Sequence, residues 1–406
     1  MRPHHLSLLG LLACAAPAGA QVRPGIEVLL SDSSQLVRGK RVGLLTNQTG
    51  VDRAGRRDID LLRRFPDTRL VLLLGPEHGL GGGEDRPGLP DGVDSATGLP
   101  IYSLYGGTPL AAIAALDSLD VLLVDLQDVG ARYYSYPATA LLLMREAARR
   151  GRAIVVLDRP DPVAGVAVQG NVPARPAPVL GPADLLAVPM RHGMTLAELL
   201  RMANAGYAIH AALTVVPAAG WRRSQFYDDT GLPWVRPSPN MPDLESAFHY
   251  PGTCLFEGTN LSVGRGTPFA FQAVGAPWLD TAAVLARLRA AARQGLVAGV
   301  RVSGVAFTPQ APSDGKYDGV PVGGVRLRVS DRRRYDPTAT AVALLAAIRA
   351  VHRDSLRFDG PHFDRLAAGP ALRHAIVAGR SARAIVWEWQ PALARFRRAR
   401  APYLLY

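Results

Sequence analysis

The composition is short of two residue types that usually mark function: 406 residues contain two cysteines and two lysines. Cys14 falls in the first twenty residues, so removal of that segment leaves Cys254 alone and no intrachain disulfide framework can form. Cys254 sits in "TCLF", where a small core residue is expected ahead of a nucleophile. No later apolar run approaches the roughly 20 residues that a membrane-spanning helix needs. Standard site motifs are missing too. The first strand-like run leads into "NQTGVDRAG", which lacks G-x-G-x-x-G and with it the cradle for a dinucleotide pyrophosphate. No G-x-x-x-x-G-K-[ST], H-E-x-x-H or G-x-S-x-G follows, which removes the support for nucleotide, zincin and serine-hydrolase chemistry. Glu77, His78, Asp125, Asp128 and His192 form a conceivable metal set without metal-ligand spacing, so no metal or other cofactor is expected.

What the chain does have is hydrophobic content, 48%, and enough length for two domains or one large one. Its formal net charge of +12 is carried almost entirely by arginine and favours anionic wall polymers or membrane surfaces. Zinc-finger spacing, an RNP-type aromatic motif and a basic helix with interleaved aromatics are all absent, so no nucleic-acid partner is expected. "MRPHHLSLLGLLACAAPAGA" has a basic start, a short apolar stretch and an A-G-A ending, the grammar of a secretory signal over residues 1–20. "LLAC" leaves open a lipoprotein signal, with membrane attachment only if Cys14 is lipidated. On either reading the protein is exported, to the periplasm or beyond.

From Arg41 to Pro160, the runs "RVGLLTN", "RLVLLLG", "DVLLVDLQD" and "AIVVLDRP" alternate with helical patterns such as "ATALLLMREAARRG". Continuous apolar strands between helices predict an α/β fold with a mainly parallel, Rossmann-like sheet, assigned to residues 25–162. Each run ends in polar residues: Asn47 and Gln48, Glu77 and His78, Asp125 through Asp128, Asp158 and Arg159. Carboxyl ends of parallel strands share one edge, where ligands bind, so these tips are expected to converge. Glycines from Gly79 to Gly83 allow sharp bends or a close ligand approach beside Glu77 and His78. The plainer alternative is that this pair caps a helix or satisfies loop amides.

Beyond Val163 the connectors turn proline-rich, and residues 163–406 are assigned to a smaller α+β domain with a cleft at the interface. "TLAE" from Thr195 predicts a capped helix start. "FEGTNLSVGRGTPF", 256–269, has neither helical nor strand period; it is a turn cluster or a binding loop, and Glu257 can face Glu77 across the cleft.

"TNQTG", "PEHGL", "LQDVGARYYSYPAT", "LDRPDP", "RHGMT", "SPNMP", "FEGTNLSVGRGTPF", "GAPW" and the closing "FDRL" and "RFRRARAPYLLY" together resemble the exo-β-N-acetylmuramidase family, in order, from about Glu27 to Tyr406. The resemblance implies release of N-acetylmuramic acid from non-reducing ends of peptidoglycan fragments, with Glu77 as the leading catalytic residue. The chain departs from the pattern at Val263, Ala270 and Gln272, where acidic residues often stand, and at Asp161, where Asn is common.

Glycosidic cleavage needs an acid for the leaving oxygen and a group that attacks or stabilises the oxocarbenium-like centre. At the mouth of a buried strand, partial desolvation favours a protonated Glu77, with His78 to position it. Glu257 and Asp128 are candidates for the second group, as is the substrate's own acetamido oxygen. Arg132 and Arg265 suit the lactyl carboxylate, because a guanidinium grips a carboxylate in bidentate fashion. Tyr133 and Tyr134 can stack on sugar faces or fill the interface. Asn47, Gln48, Asn240, Thr259 and Asn260 complete the expected substrate contacts. A non-catalytic sugar-binding protein and a metal-dependent deacetylase or esterase are the alternatives.

Overall fold

The computed structural model describes residues 21–86, 88–174 and 186–406. The signal segment and Cys14 lie outside the described residues. The four apolar runs form β1 (Arg41–Thr46), β2 (Arg69–Gly75), β5 (Val121–Asp125) and β6 (Ala153–Leu157), parallel and mutually adjacent. A two-residue strand β3 (Gly92–Val93), β4 (Pro100–Ser103) and β7 (Leu213–Val216) extend them, in the order β3-β4-β2-β1-β5-β6-β7. Only β3 runs antiparallel.

Side chains alternate across a strand, so an unbroken apolar run feeds both faces of the sheet. Leu44 of β1 joins Ile26 and Leu29 of α1 (Gly25–Asp32) and Ile59 and Leu62 of α2 (Asp58–Arg64). Leu45, its neighbour, joins Leu141 and Met144 of α3 (Ser135–Arg149) and Leu199 of α4 (Leu196–Gly206). As expected, α4 starts with a reciprocal cap between Thr195 and Glu198.

The boundary expected at residue 162 is corrected by β7, which pairs in parallel with β6 fifty residues further on. The chain therefore returns to the first sheet after residue 162, and the proline-rich composition does not mark the start of a new domain.

The second layer begins with α5 (Leu244–Thr253) and contains the antiparallel sheet β8-β10-β9, formed by Ala273–Ala276, Val322–Val329 and Val300–Phe307. The α6 (Thr281–Arg293) and α7 (Pro337–Val351) helices pack together, and α7 also packs on α5. Four short helices follow: α8 (Gly360–Leu366), α9 (Ala371–Val377), α10 (Ala382–Glu388) and α11 (Gln390–Arg400). One apolar core runs from Leu72 of β2 to Phe396 of α11, so the two layers share a single interior.

Candidate active site

Of the four polar strand tips, only that of β2 reaches the main cavity. The others are wired to one another. Asp125 at the end of β5 takes a two-pronged ion pair from Arg159 beyond β6, with Nη2 to Oδ2 at 3.0 Å, and Arg159 also donates to the Val51 carbonyl. Asp58 opens α2 beside them and accepts the Thr46 hydroxyl at 2.6 Å; burial, together with the Asp125 charge, holds its carboxyl well above the usual range. The expectation of four converging tips is corrected by these pairings.

Asn47 is similarly occupied. Its Oδ1 accepts the Thr49 amide and hydroxyl at 3.0 and 2.6 Å, and its Nδ2 donates to the Tyr136 hydroxyl at 2.8 Å. Gln48 donates to the Arg236 carbonyl and lies where a Cβ on Gly82 would stand. Asp128 is buried, accepts the Gly130 amide at 3.0 Å and sits 3.3 Å from His192. None of the three lines the cavity, so Asp128 is replaced as a candidate for the second catalytic group.

The cavity has a volume of about 740 Å³, within the ordinary range for small-molecule sites. Its N-terminal wall carries Glu77, His78, Asp85 and Tyr105, and its C-terminal wall carries Glu257, Thr259, Asn260, Arg265 and Lys316. An adjoining recess of about 230 Å³ adds Tyr133, Tyr134 and Asn240. The expected interface cleft is therefore present, with carboxylates from both sides.

Glu77 follows β2 by two residues and is half-buried. The Tyr105 hydroxyl bonds to it, and burial together with the Glu77 charge pushes that phenol up to about 12, so it keeps its proton. His78 adopts φ +70°, a left-handed conformation uncommon outside glycine. The turn from the Gly79 amide to the Pro76 carbonyl holds it there, as does the bond from its Nδ1 to the Glu84 carbonyl at 2.7 Å. A carbonyl only accepts, so Nδ1 carries the proton. Gly79 and Gly82, at φ +72° and +67°, supply the reversals that follow.

Opposite, Glu257 lies on the short turn Cys254–Gly258 after α5. Arg265 Nε donates to its Oε1 at 2.7 Å, and the Cys254 thiol donates to Oε2 at 3.4 Å. Burial drives the Cys254 thiol well up and the adjacent Glu257 charge reinforces this, so Cys254 is a neutral neighbour and not a nucleophile. Burial opposes the Arg265 charge, but Glu257 outweighs it and the guanidinium pKa rises. Arg265 also donates to Ser313 at 3.0 Å and lies 3.5 Å from Asp85, which accepts Asn240 Nδ2 at 2.5 Å. This network ties the glycine loop of the first layer to two loops of the second.

Thr259 and Asn260 line the wall with their polar groups already engaged. Thr259 donates to the Phe256 carbonyl at 2.7 Å; Asn260 donates to the Ser355 carbonyl and accepts the Arg357 amide, each at 2.9 Å. Arg132 is buried outside the cavity and donates to the carbonyls of Asn171 and Leu366 at 2.8 and 2.7 Å. Its expected role toward a ligand carboxylate is corrected to one of bracing the layers. Tyr133 gives its hydroxyl to the Pro251 carbonyl and meets Tyr250 edge-on at 5.8 Å, so it fills the interface and walls the recess. Sequence reasoning missed Asp85, Tyr105, Lys316, Arg357 and His362. Asp85 stands two residues after the last glycine of the loop and Lys316 is one of two lysines, the faint signals available.

Two carboxylates from opposite walls can carry out acid and base or nucleophile steps on a ligand held between them. Among the described residues, no group of three or more His, Cys, Asp or Glu side chains is arranged to hold a metal, and no helix is long and apolar enough to cross a membrane. Fold and site together define a two-layer α/β protein with a saccharide-sized, carboxylate-lined interface cleft. Residues 42–245 match the N-terminal region, and residues 248–406 the C-terminal region, of the exo-β-N-acetylmuramidase NamZ family; the chain belongs to that family.

The peptidoglycan β-N-acetylmuramidase NamZ of Bacillus subtilis (strain 168) is 37% identical over 394 residues, which cover 95% of this chain and 92% of the relative. Two solved structures of DUF1343 family proteins from Bacteroides fragilis NCTC 9343 superpose with TM-scores of 0.85 and 0.75. They are 30% and 29% identical, and each match covers 95% of this chain and 99% of the other.

Proposed function

We propose that this protein is an exo-acting glycoside hydrolase that releases N-acetylmuramic acid from the non-reducing ends of peptidoglycan fragments. The observation that carries the reading is the meeting of Glu77 and Glu257 in one cavity, in a chain of the NamZ family. Glu77 in its acid form gives its proton to the leaving glycosidic oxygen as the C1–O bond breaks. Glu257 stabilises or attacks the oxocarbenium-like centre, or the substrate's acetamido oxygen takes that part. Water then adds its oxygen to C1, and its second proton restores the acid. Arg265 holds Glu257 in place, while Tyr105 and His78 fix the orientation of the Glu77 loop.

The protein works outside the cytoplasm, in the recycling or turnover of wall material. The grammar of residues 1–20 supports export, and Cys14 is the attachment point if the leader is of the lipoprotein type. Incubation with a chromogenic N-acetylmuraminide, with and without chelator, tests the proposal. Release of the sugar unaffected by chelator is expected. Chelator-sensitive release of acetate indicates a metal-dependent deacetylase, and saturable binding without turnover a sugar-binding protein; either result rejects the hydrolase.

A further inference from the structure

We infer that Arg357 reads the carboxylate of the bound sugar and sets the preference of the cleft for an acidic amino sugar over a neutral one. The inference rests on the saccharide reading above. Five carboxylates line the cavity: Glu77, Asp85, Glu257, Asp314 and Asp359. An anionic ligand entering among them is repelled unless a cation has charge to spare.

Four cationic side chains line the same walls, and three are spent. Arg265 faces Glu257 at 2.7 Å and Asp85 at 3.5 Å. Lys316 donates to the carbonyls of Glu257 and Leu261 at 2.9 and 3.3 Å, with Asp314 at 3.8 Å. Arg86, out on the lip, pairs with Glu84 at 2.9 Å. The Arg357 guanidinium has no hydrogen-bond or ion-pair partner among the described residues, although it lines the cavity and is solvent-exposed.

Its root, in contrast, is fixed. The Arg357 amide donates to Asn260 Oδ1 at 2.9 Å, and its carbonyl accepts the Asn260 amide at 3.1 Å. A further bridge joins Thr259 to Phe358. The backbone is thus bound to the loop that presents Glu257 and Arg265, while a long side chain with a planar fork of donors remains uncommitted. A guanidinium in that state suits a carboxylate in bidentate fashion.

Calorimetric titration of N-acetylmuramic acid and N-acetylglucosamine into wild type, Arg357→Ala and Arg357→Lys tests the assignment without requiring turnover. Wild type is expected to bind the acidic sugar roughly ten- to a hundredfold more tightly, the usual worth of one charged hydrogen-bonded pair. Arg357→Ala brings the two affinities to within about twofold, and Arg357→Lys keeps part of the difference, since it retains the charge but not the fork. Equal binding of both sugars by wild type, or an unchanged ratio in Arg357→Ala, overturns the inference. Parallel turnover of the muraminide separates the two claims. A binding ratio that depends on Arg357 in a protein without turnover rejects the hydrolase and keeps this inference; turnover with a ratio indifferent to Arg357 does the reverse.

Discussion

Replacing Glu77 by Gln removes an ionisable proton and leaves the shape of the side chain nearly unchanged. The introduced amide keeps an oxygen to accept the Tyr105 hydroxyl, and residue 77 is only half-buried. The stability cost is therefore below about 1 kcal/mol, no more than about 4 °C in Tm. The kinetic cost is larger. General acid catalysis contributes about 10² to 10⁴ in rate, or about 3 to 5 kcal/mol of barrier, so kcat on a natural muramic acid disaccharide falls by that factor. An aryl glycoside leaves without much protonation and loses far less. The assay is kcat for both substrates with wild type and Glu77→Gln, beside a thermal melt. A folded variant with full activity on the disaccharide refutes the assignment of Glu77 as the acid. Equal collapse on both substrates reassigns Glu77 as nucleophile or positioning residue, and Glu257 becomes the proton donor to examine.

Arg132→Ala is expected to lower stability by about 3 kcal/mol, because the buried carbonyl of Leu366 and the part-buried one of Asn171 lose their donor, while selectivity between muraminides and glucosaminides stays as in wild type. Denaturant titration beside the substrate ratio checks both halves, and an altered ratio returns Arg132 to the site. Burial, helped by the Glu198 charge, pushes the Asp158 carboxyl up to about 7, against an ordinary value of about 4. Its contribution is complete below about pH 4 and is lost as pH rises through 7, so wild type sheds up to about 4 kcal/mol over that window. Melts from pH 5 to pH 8 should show a shallower decline in Asp158→Asn, and equal slopes would exclude Asp158 as the source. A cleft closed by loops from two layers takes chain ends in preference to chain middles. Intact peptidoglycan should therefore keep its turbidity with this protein alone, and sugar release should rise when an enzyme that creates muramic acid termini is added.

The strands and their parallel arrangement were legible because an apolar run buried on both faces has a local signature. The fate of the polar tips was not. Asp128 and Glu77 look alike at the end of a strand, and what separates them is the partner: Gly130 and His192 enclose one, while the other opens onto a cavity whose far wall lies 180 residues away in Glu257. Composition also misled the domain boundary. Prolines after Val163 describe the local path of the chain, whereas membership of β7 in the first sheet is decided by its pairing with β6. The loop from Glu257 to Arg265 was recognisable because a polar, glycine-spaced segment without any period has no core role to play. Arg357 and Lys316 gave no comparable pattern, since single cations in an arginine-rich chain resemble solvated surface.

The hydrogen bonds that join the two layers span long stretches of chain. Leu366 accepts from Arg132 across 234 residues, and Tyr406 gives its hydroxyl to Asp158 across 248. Leu405 reaches Glu198 across 207 residues. Closures of this length are entropically slow to form, so Asp158 and Glu198 keep only their local partners, Ala197, Thr195 and Arg223, until the C-terminal segment docks. The last hydrogen bonds of the first layer thus depend on the far end of the chain, and the two layers, which share one core, are expected to melt in one cooperative transition.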